Sequence, residues 1–184
     1  MGVAQAEKEL EAGKYALAAG RVVRMIPYVR AAKPGAELMV TRAMRVLAVS
    51  TVRLDGRLPF EKRVPKGIHR QWPGSSAEDR QANLEWSVAT LEKLNERRKN
   101  DPALLSELGE AMARVDRYRD RALDVLGKLA ARDLLASPEA YAALARLRND
   151  DGDDSGSRLA ANRCLAMANE AALCHVTGFF TWQS

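Results

Sequence analysis

Hydrophobic positions recur with helical spacing along most of the chain, and turn residues divide it into about eight segments. The clearest stretch is 101–149, where Leu105, Leu108, Met112 and Val115 fall three or four positions apart. An apolar stripe with this period predicts an amphipathic helix that packs on one face. The whole pattern predicts an all-α fold, with helices over 3–12, 15–26, 36–54, 77–100, 102–115, 118–136, 138–148 and 157–174.

Two predicted helices share the same start signal. Asp101-Pro102 and Ser137-Pro138 each place a side-chain acceptor at the N-cap and a proline at the first helical position. Proline is tolerated there because its missing N–H would have no intrahelical partner. The two prolines are separated by 36 positions, which predicts a structural repeat of about that length.

Other turn residues mark the remaining helix ends. Ser76 with Asp79 resembles a capping box at the start of the fourth helix, and Gly56 is expected to stop the third. Pro27 lacks a backbone donor and is expected to end or kink the second helix. The Asp-rich stretch 149–154 is interpreted as a helix–helix turn, with Ser155 or Ser157 capping the helix that follows.

Composition supports close-packed helices. Hydrophobic residues make up 47% of the chain and aromatic residues only 5%, so Ala, Leu, Val and Met must fill the interior. Uncharged runs are far shorter than the roughly 18 residues that span a bilayer. The net charge of +5 is spread among acidic residues without a long basic block, which favours an ordinary solvated surface.

A residue pattern recurs within the predicted helix pairs. Its three copies are Leu105-x-x-Leu108-Gly109 before Tyr118 and Ala122, Tyr141-x-x-Leu144-Ala145 before Ala160-Ala161, and the turn Gly13-Lys14-Tyr15-Ala16-Leu17-Ala18. This pattern resembles the tetratricopeptide repeat family. Small residues such as Gly109 would let two helices approach, and large ones such as Tyr141 would fill the space beside them. The resemblance implies about four stacked antiparallel helical hairpins in a single domain, 1–184.

The same resemblance implies a non-enzymatic interaction scaffold or adaptor. First helices of successive hairpins would line a concave groove that binds a peptide or helix of a partner protein. The exposed ends of so short a stack make self-association plausible. Polar positions off the apolar stripes are the candidate groove residues: Arg42, Arg45, Glu107, Glu110, Arg114, Arg146 and Asn149.

The segment 57–76 interrupts the repeat as a long basic insertion loop. Loops of this length within a compact domain are usually functional or disordered. Its basic and aromatic residues form a second candidate site for nucleic acid or another anionic surface: Phe60, Lys62, Arg63, Lys66, His69, Arg70 and Trp72. The alternative is a loop pinned to the helices by its apolar side chains, with its charges solvated.

A search for catalytic and metal-binding patterns returns no strong match. There is no phosphate-binding glycine loop, and His69 and His175 have no partners at ligand spacing, so neither a cofactor nor a metal is expected. If one helix joined Cys164 to Cys174, their backbones would lie roughly 15 Å apart. A disulfide needs about 7 Å or less, so two reduced, buried cysteines are expected unless the chain turns back.

The C-terminal segment 173–184 is the most aromatic part of the chain, with Phe179, Phe180 and Trp182. It is interpreted as a cap over the last helix, with a docking peptide as the alternative. The N-terminus has no signal-peptide pattern, which favours a cytoplasmic protein. An exported parent chain stays open if this sequence is a trimmed piece.

The nucleic-acid alternative makes a direct prediction. If the basic loop 57–76 contacts phosphates, a mixed-sequence oligonucleotide will bind at low salt, and its affinity will fall steeply as salt rises, because bound cations are released from the nucleic acid. A titration at two salt concentrations measures this. The absence of binding at low salt would contradict the alternative.

Overall fold

The computed structural model describes residues 2–31, 36–57, 76–98 and 101–175, without the side chains of 26–31. These ranges contain eight α-helices, two short 3₁₀ turns and no β-strand, which confirms the all-α prediction for this part of the chain. Among them, no helix combines the length and apolar character that crossing a membrane requires. The helices are α1 (Gly2–Glu11), α2 (Tyr15–Ala31), α3 (Glu37–Arg53), α4 (Ala77–Arg97), α5 (Pro102–Met112), α6 (Arg119–Ala130), α7 (Pro138–Asp150) and α8 (Asp154–Met167).

The chain divides into two compact units, Met1–Lys99 with α1 to α4 and Asn100–Ser184 with α5 to α8. The same helix pairs pack together in each. In the first unit these are α1 with α2, α2 with α3, α3 with α4, and α1 with α3. In the second they are α5 with α6, α6 with α7, α7 with α8, and α5 with α7. In each unit, consecutive helices therefore pack together, and the first helix also packs against the third. The single domain, 1–184, stays a prediction.

The core of the first unit is built from aliphatic side chains. Val22, Leu47, Val88 and Leu91 are almost completely buried. Full burial of one such side chain contributes about 1.5–3 kcal/mol. Alanines complete the helix contacts and keep the helices close: Ala6, Ala18, Ala19, Ala43 and Ala48.

The end of α3 is fastened to α4 at Gly56. This glycine has a φ of +70°, as the predicted stop signal requires, and its carbonyl accepts a hydrogen bond of 2.9 Å from the Asn83 side-chain amide. A Cβ atom at Gly56 would lie 2.5 Å from the Arg80 carbonyl oxygen. At the start of α4, Ser76 Oγ accepts from the Asp79 amide at 3.1 Å, which confirms the predicted cap.

The second unit has the same kind of core. Leu108, Met112, Leu126 and Leu144 are fully or almost fully buried. α5 approaches α6 closely, because a Cβ atom at Gly109 would lie 2.7 Å from Leu126 Cδ2. This contact gives Gly109 the spacing role that the repeat pattern assigned to it.

One core prediction on α5 is wrong. Leu104 is buried in place of the predicted Leu105, which is only half-buried. α5 packs against both α6 and α7, so its buried arc is wider than a single apolar stripe and includes position 104.

Pro27 does not end the second helix, as one of its two predicted effects required, because α2 runs through this position to Ala31. A proline inside a helix removes one hydrogen-bond donor and strains the preceding turn, but its fixed φ is itself helical. The loss of one hydrogen bond is therefore compatible with a continuous helix.

The expectation of two reduced cysteines is wrong. Cys164 and Cys174 form a disulfide with a Cα–Cα distance of 5.6 Å. The predicted helix 157–174 ends early: α8 stops at Met167, Ala168 is extended, and the 3₁₀ turn Ala171–Cys174 brings the second cysteine back toward the first. The chain takes the turned-back path that the expectation of reduced cysteines leaves as the exception.

The N-cap of α8 differs from the prediction as well. Asp153 caps the helix by accepting a hydrogen bond from the Gly156 amide at 2.9 Å. Ser157 is buried inside the helix instead, and its Oγ donates to the Ala145 carbonyl oxygen at 2.9 Å. The acidic turn therefore starts α8, and Ser157 fastens α8 to α7.

Gly56→Ala should destabilise the first unit by about 2–5 kcal/mol, because a left-handed alanine costs about 1–2 kcal/mol and overpacking a further 1–3. Gly13→Ala is the matched control. Gly13 has a similar φ of +72°, but its Cβ would meet nothing nearer than Tyr15 Oη at 4.0 Å. Urea unfolding of both variants measures the difference. Equal losses would show that the contact with Arg80 is not tight.

Candidate partner-binding face

In the second unit, α5 and α7 pack against each other and begin in the same way. Asp101 Oδ1 accepts from the amides of Ala103 and Leu104 at 3.1 and 3.2 Å. Ser137 Oγ accepts from the Ala140 amide at 3.2 Å. Both predicted cap-and-proline starts are confirmed, and they set where each helix enters the unit.

Side-chain hydrogen bonds hold α7 in place. Ser106 Oγ, in α5, accepts from the Ala136 amide at 3.3 Å, just before α7. At the other end of α7, Arg119 donates to the Leu147 carbonyl oxygen at 3.3 Å and to the Asp150 carboxylate at 3.1 Å. These contacts restrain α7 at both ends and so limit how far it can slide along its neighbours.

Two predicted groove residues, Glu107 and Glu110, lie three positions apart on α5, which places them on one side of the helix. A third, Arg114, lies in the turn that directly follows α5. Glu107 and Arg114 are half-buried and therefore partly accessible. Glu110 is only 3% exposed, so a partner would reach it only if its surroundings moved.

Two more predicted residues lie on α7. Arg146 is half-buried, and Asn149 is exposed near the end of the helix. Glu139 was not predicted, although it lies seven positions before Arg146, on the same strip of α7, and is also half-buried. Helical spacing counted from Arg146 could have found it. We call Glu107, Arg114, Glu139, Arg146 and Asn149 the α5–α7 face.

The remaining predicted groove residues, Arg42 and Arg45, lie on α3 of the first unit. Arg42 forms a two-point ion pair with Glu7 of α1, with its Nε donating to Oε1 at 2.7 Å and its Nη2 donating to Oε2. The hydrogen bond from Arg42, aided by the positive charges of Arg42 and Arg45, lowers the pKa of Glu7 against the opposing effect of partial burial. This pair joins α1 to α3 in the first unit.

A second ion pair joins α1 to α2. The Nε of Arg21 donates to the Glu9 carboxylate oxygens at 2.9 and 3.1 Å, and this hydrogen bonding lowers the pKa of Glu9. Neither glutamate was singled out from the sequence. Glu7 and Arg42 are 35 positions apart, and no local pattern links residues at that distance.

The candidate loop site lies outside the described residues, as does the segment 176–184. Two carboxylates of the acidic turn have partners within the second unit: Asp150 binds Arg119, and Asp153 caps α8. In the part of the chain that the structure describes, no group of three or more His, Cys, Asp or Glu residues is arranged to hold a metal ion.

Comparison with known proteins adds no family to this description. No family model, no curated protein and no solved structure matches the chain.

The ion pairs of α1 predict how stability depends on pH. Since folding lowers the pKa of Glu7 and Glu9, the folded state binds fewer protons than the unfolded chain near the ordinary glutamate pKa of about 4.3. Their stabilisation is present above that pH and is lost as the pH falls through the folded-state values. Glu7→Gln/Glu9→Gln should therefore lose less stability on acidification than the wild type in urea unfolding from about pH 7 to pH 3.

Glu11→Gln is the matched control, because it removes one negative charge from the exposed side of the same helix. It should lose stability on acidification much as the wild type does. If the double variant behaved like this control, the two ion pairs would contribute nothing to acid sensitivity.

Proposed function

We propose that the chain is a non-enzymatic protein-interaction module of the tetratricopeptide-like kind, and that it binds a peptide or helix of a partner protein on the α5–α7 face. The supporting observation is the pairing of α5 with α7. The two helices begin with the same type of cap followed by proline, pack against each other, and each packs against α6. Adjacent first helices form the kind of surface that repeat proteins of this class use for binding.

The chemistry of the α5–α7 face suits a polypeptide ligand. It carries carboxylates at Glu107 and Glu139, guanidinium groups at Arg114 and Arg146, and the exposed amide of Asn149. An asparagine side chain both donates and accepts, so it can bond to the backbone of a bound segment. Charges of both signs favour a partner with a complementary pattern over a uniformly charged polymer such as nucleic acid.

Rigid support of α7 favours binding without a large rearrangement. Ser106 and Arg119 restrain the two ends of the helix. Along its length, the alanine and leucine side chains of α7 are buried in the core. A binding surface on rigid helices orders few new groups when the partner arrives, which lowers the entropic cost of association. Charges at the edge of such a surface act mainly on orientation and association rate.

The proposal is tested by site-specific photo-crosslinking in the source organism. A photoreactive residue replaces Asn149 on the α5–α7 face in one variant and Arg158 on α8 in the other; both positions are exposed and helical. We expect position 149 to crosslink a discrete partner protein that position 158 does not. Arg146→Glu in the first variant should weaken the crosslink at least about 10-fold, equivalent to about 1.4 kcal/mol.

Arg158→Glu, introduced with the crosslinker at position 149, is the control for the charge change alone. Circular dichroism of each variant verifies that helix content is retained. The proposal fails if positions 149 and 158 recover the same proteins, or if Arg146→Glu and Arg158→Glu weaken the crosslink equally.

A further inference from the structure

The disulfide between Cys164 and Cys174 joins α8 to the segment 168–175 that follows it. Cys164 lies on the buried face of α8 with no exposed surface, and Cys174 is 3% exposed. The 3₁₀ turn Ala171–Cys174 contacts both α7 and α8. The bond therefore holds the end of the described chain against the last helical hairpin.

Much of the segment 168–175 is exposed to solvent. Asn169, Glu170 and His175 are exposed, as are the alanines between them, and Leu173 is half-buried. The Ala168 amide donates a hydrogen bond to the Cys164 carbonyl oxygen, and the Leu173 amide, within the turn, donates to the Glu170 carbonyl oxygen. Both are local, and neither ties the segment to α7.

α8 has attachments of its own that do not depend on the disulfide. Ser157 Oγ donates to the Ala145 carbonyl oxygen at 2.9 Å, and Arg148 donates to the Gly156 carbonyl oxygen at 3.1 Å. Beside Cys164, the Arg163 guanidinium lies 3.7 Å from the Asp133 carboxylate. Asp133 in turn accepts a hydrogen bond from the Tyr141 hydroxyl at 3.2 Å. Breaking the disulfide would leave these contacts intact.

We propose that the Cys164–Cys174 bond is a redox-controlled lock: oxidised, it holds the segment 168–175 on α7 and α8, and reduced, it releases that segment while the helices stay packed. The reductant is a dithiol. One of its thiolates attacks a cysteine sulfur and breaks the S–S bond, forming a mixed disulfide, and the second thiolate resolves it. The protein gains two thiols, and the dithiol is oxidised to its own disulfide.

Burial of both sulfurs controls how fast the lock opens. A thiolate must reach a sulfur atom, so reduction requires a local opening of the segment 168–175 first. The exposed, locally bonded character of this segment makes such an opening less costly than unfolding of the hairpin. Release uncovers the part of α8 at Cys164, which the disulfide joins to the turn Ala171–Cys174 in the oxidised state.

Glu170 provides a direct probe, because it is exposed and lies between the two cysteines. A glutamate-specific protease needs several residues of extended chain, and the disulfide opposes this. The two cysteines are ten positions apart, and closing a loop of that size disfavours the open segment by up to roughly 100-fold. Cleavage after Glu170 should therefore accelerate by up to that factor when the wild-type chain is treated with dithiothreitol under native conditions.

Cleavage after Glu107 in α5 and after Glu139 in α7 reports on the rest of the second unit. If the disulfide acts as the proposed lock, reduction will leave the cleavage rates at Glu107 and Glu139 unchanged and will raise the rate at Glu170. Cys174→Ser should show the fast cleavage at Glu170 without reductant and should not respond to dithiothreitol. Thiol titration verifies the state of the bond in each sample.

Three results would overturn the proposal. Equal acceleration at all three glutamates would mean that the bond supports the whole unit. An unchanged rate at Glu170 after complete reduction would mean that the segment is held by other contacts. Finding two free thiols in the air-oxidised wild-type chain would mean that the bond does not form.

Discussion

Close approach of neighbouring helices is the constraint on which this structure depends. With few aromatic residues, the chain cannot fill wide gaps between helices, so the gaps must be narrow. Gly109 shows how narrow, since a single added carbon there would overlap Leu126. Interiors packed this densely tolerate little change in volume, so that a single added or removed methyl group affects the packing. The alanines of α7, which are buried on more than one side of the helix, satisfy the same constraint.

Close packing through alanines does not fix how far one helix is shifted along its neighbour, because alanine surfaces are smooth. Polar contacts near the helix ends fix this axial position. Asn83 reaches the carbonyl oxygen of Gly56 in the first unit, and Ser106 reaches the amide of Ala136 in the second. A buried polar atom without its partner costs about 1–3 kcal/mol, so each contact penalises a shifted packing. The proposed binding face inherits its geometry from these contacts, since they position α7.

The ion pairs contribute to stability in a different way from this packing. The ion pairs of Glu7 and Glu9 lie where helices meet, but their arginine partners are 41% and 39% exposed, so water screens much of the attraction. They contribute mainly to pH dependence and to the choice of neighbouring helix. The disulfide is the one covalent restraint among the described residues, and it acts where packing is weakest, on the exposed segment after α8. In the second unit, apolar packing thus holds the helices together, and the disulfide holds the segment after α8.

Local sequence determined which parts of the chain are helical, most of the helix caps and many of the buried apolar positions. A period of 3.6, a cap acceptor and a proline or glycine act within one turn of a helix, so they are visible without knowledge of the fold. The same local information selected Glu107, Arg114, Arg146 and Asn149 as polar positions, and the structure leaves each of them at least partly accessible. The helix end predicted at Pro27 is wrong. The helix continues through this proline, whose fixed φ is helical, although its backbone lacks a hydrogen-bond donor.

Only the tertiary structure decided which distant residues meet. The pairing of α5 with α7, the ion pair between Glu7 and Arg42, and the burial of Glu110 all depend on how hairpins pack, and no spacing along the chain encodes that. The disulfide shows the same limit most clearly. Ten positions separate Cys164 from Cys174 in either case, but a continuous helix would hold them apart, and the turn at Ala168 brings them within bonding distance. That turn departs from the helical periodicity of the sequence, and the contacts of the Ala171–Cys174 turn with α7 and α8 exist only once these helices have packed.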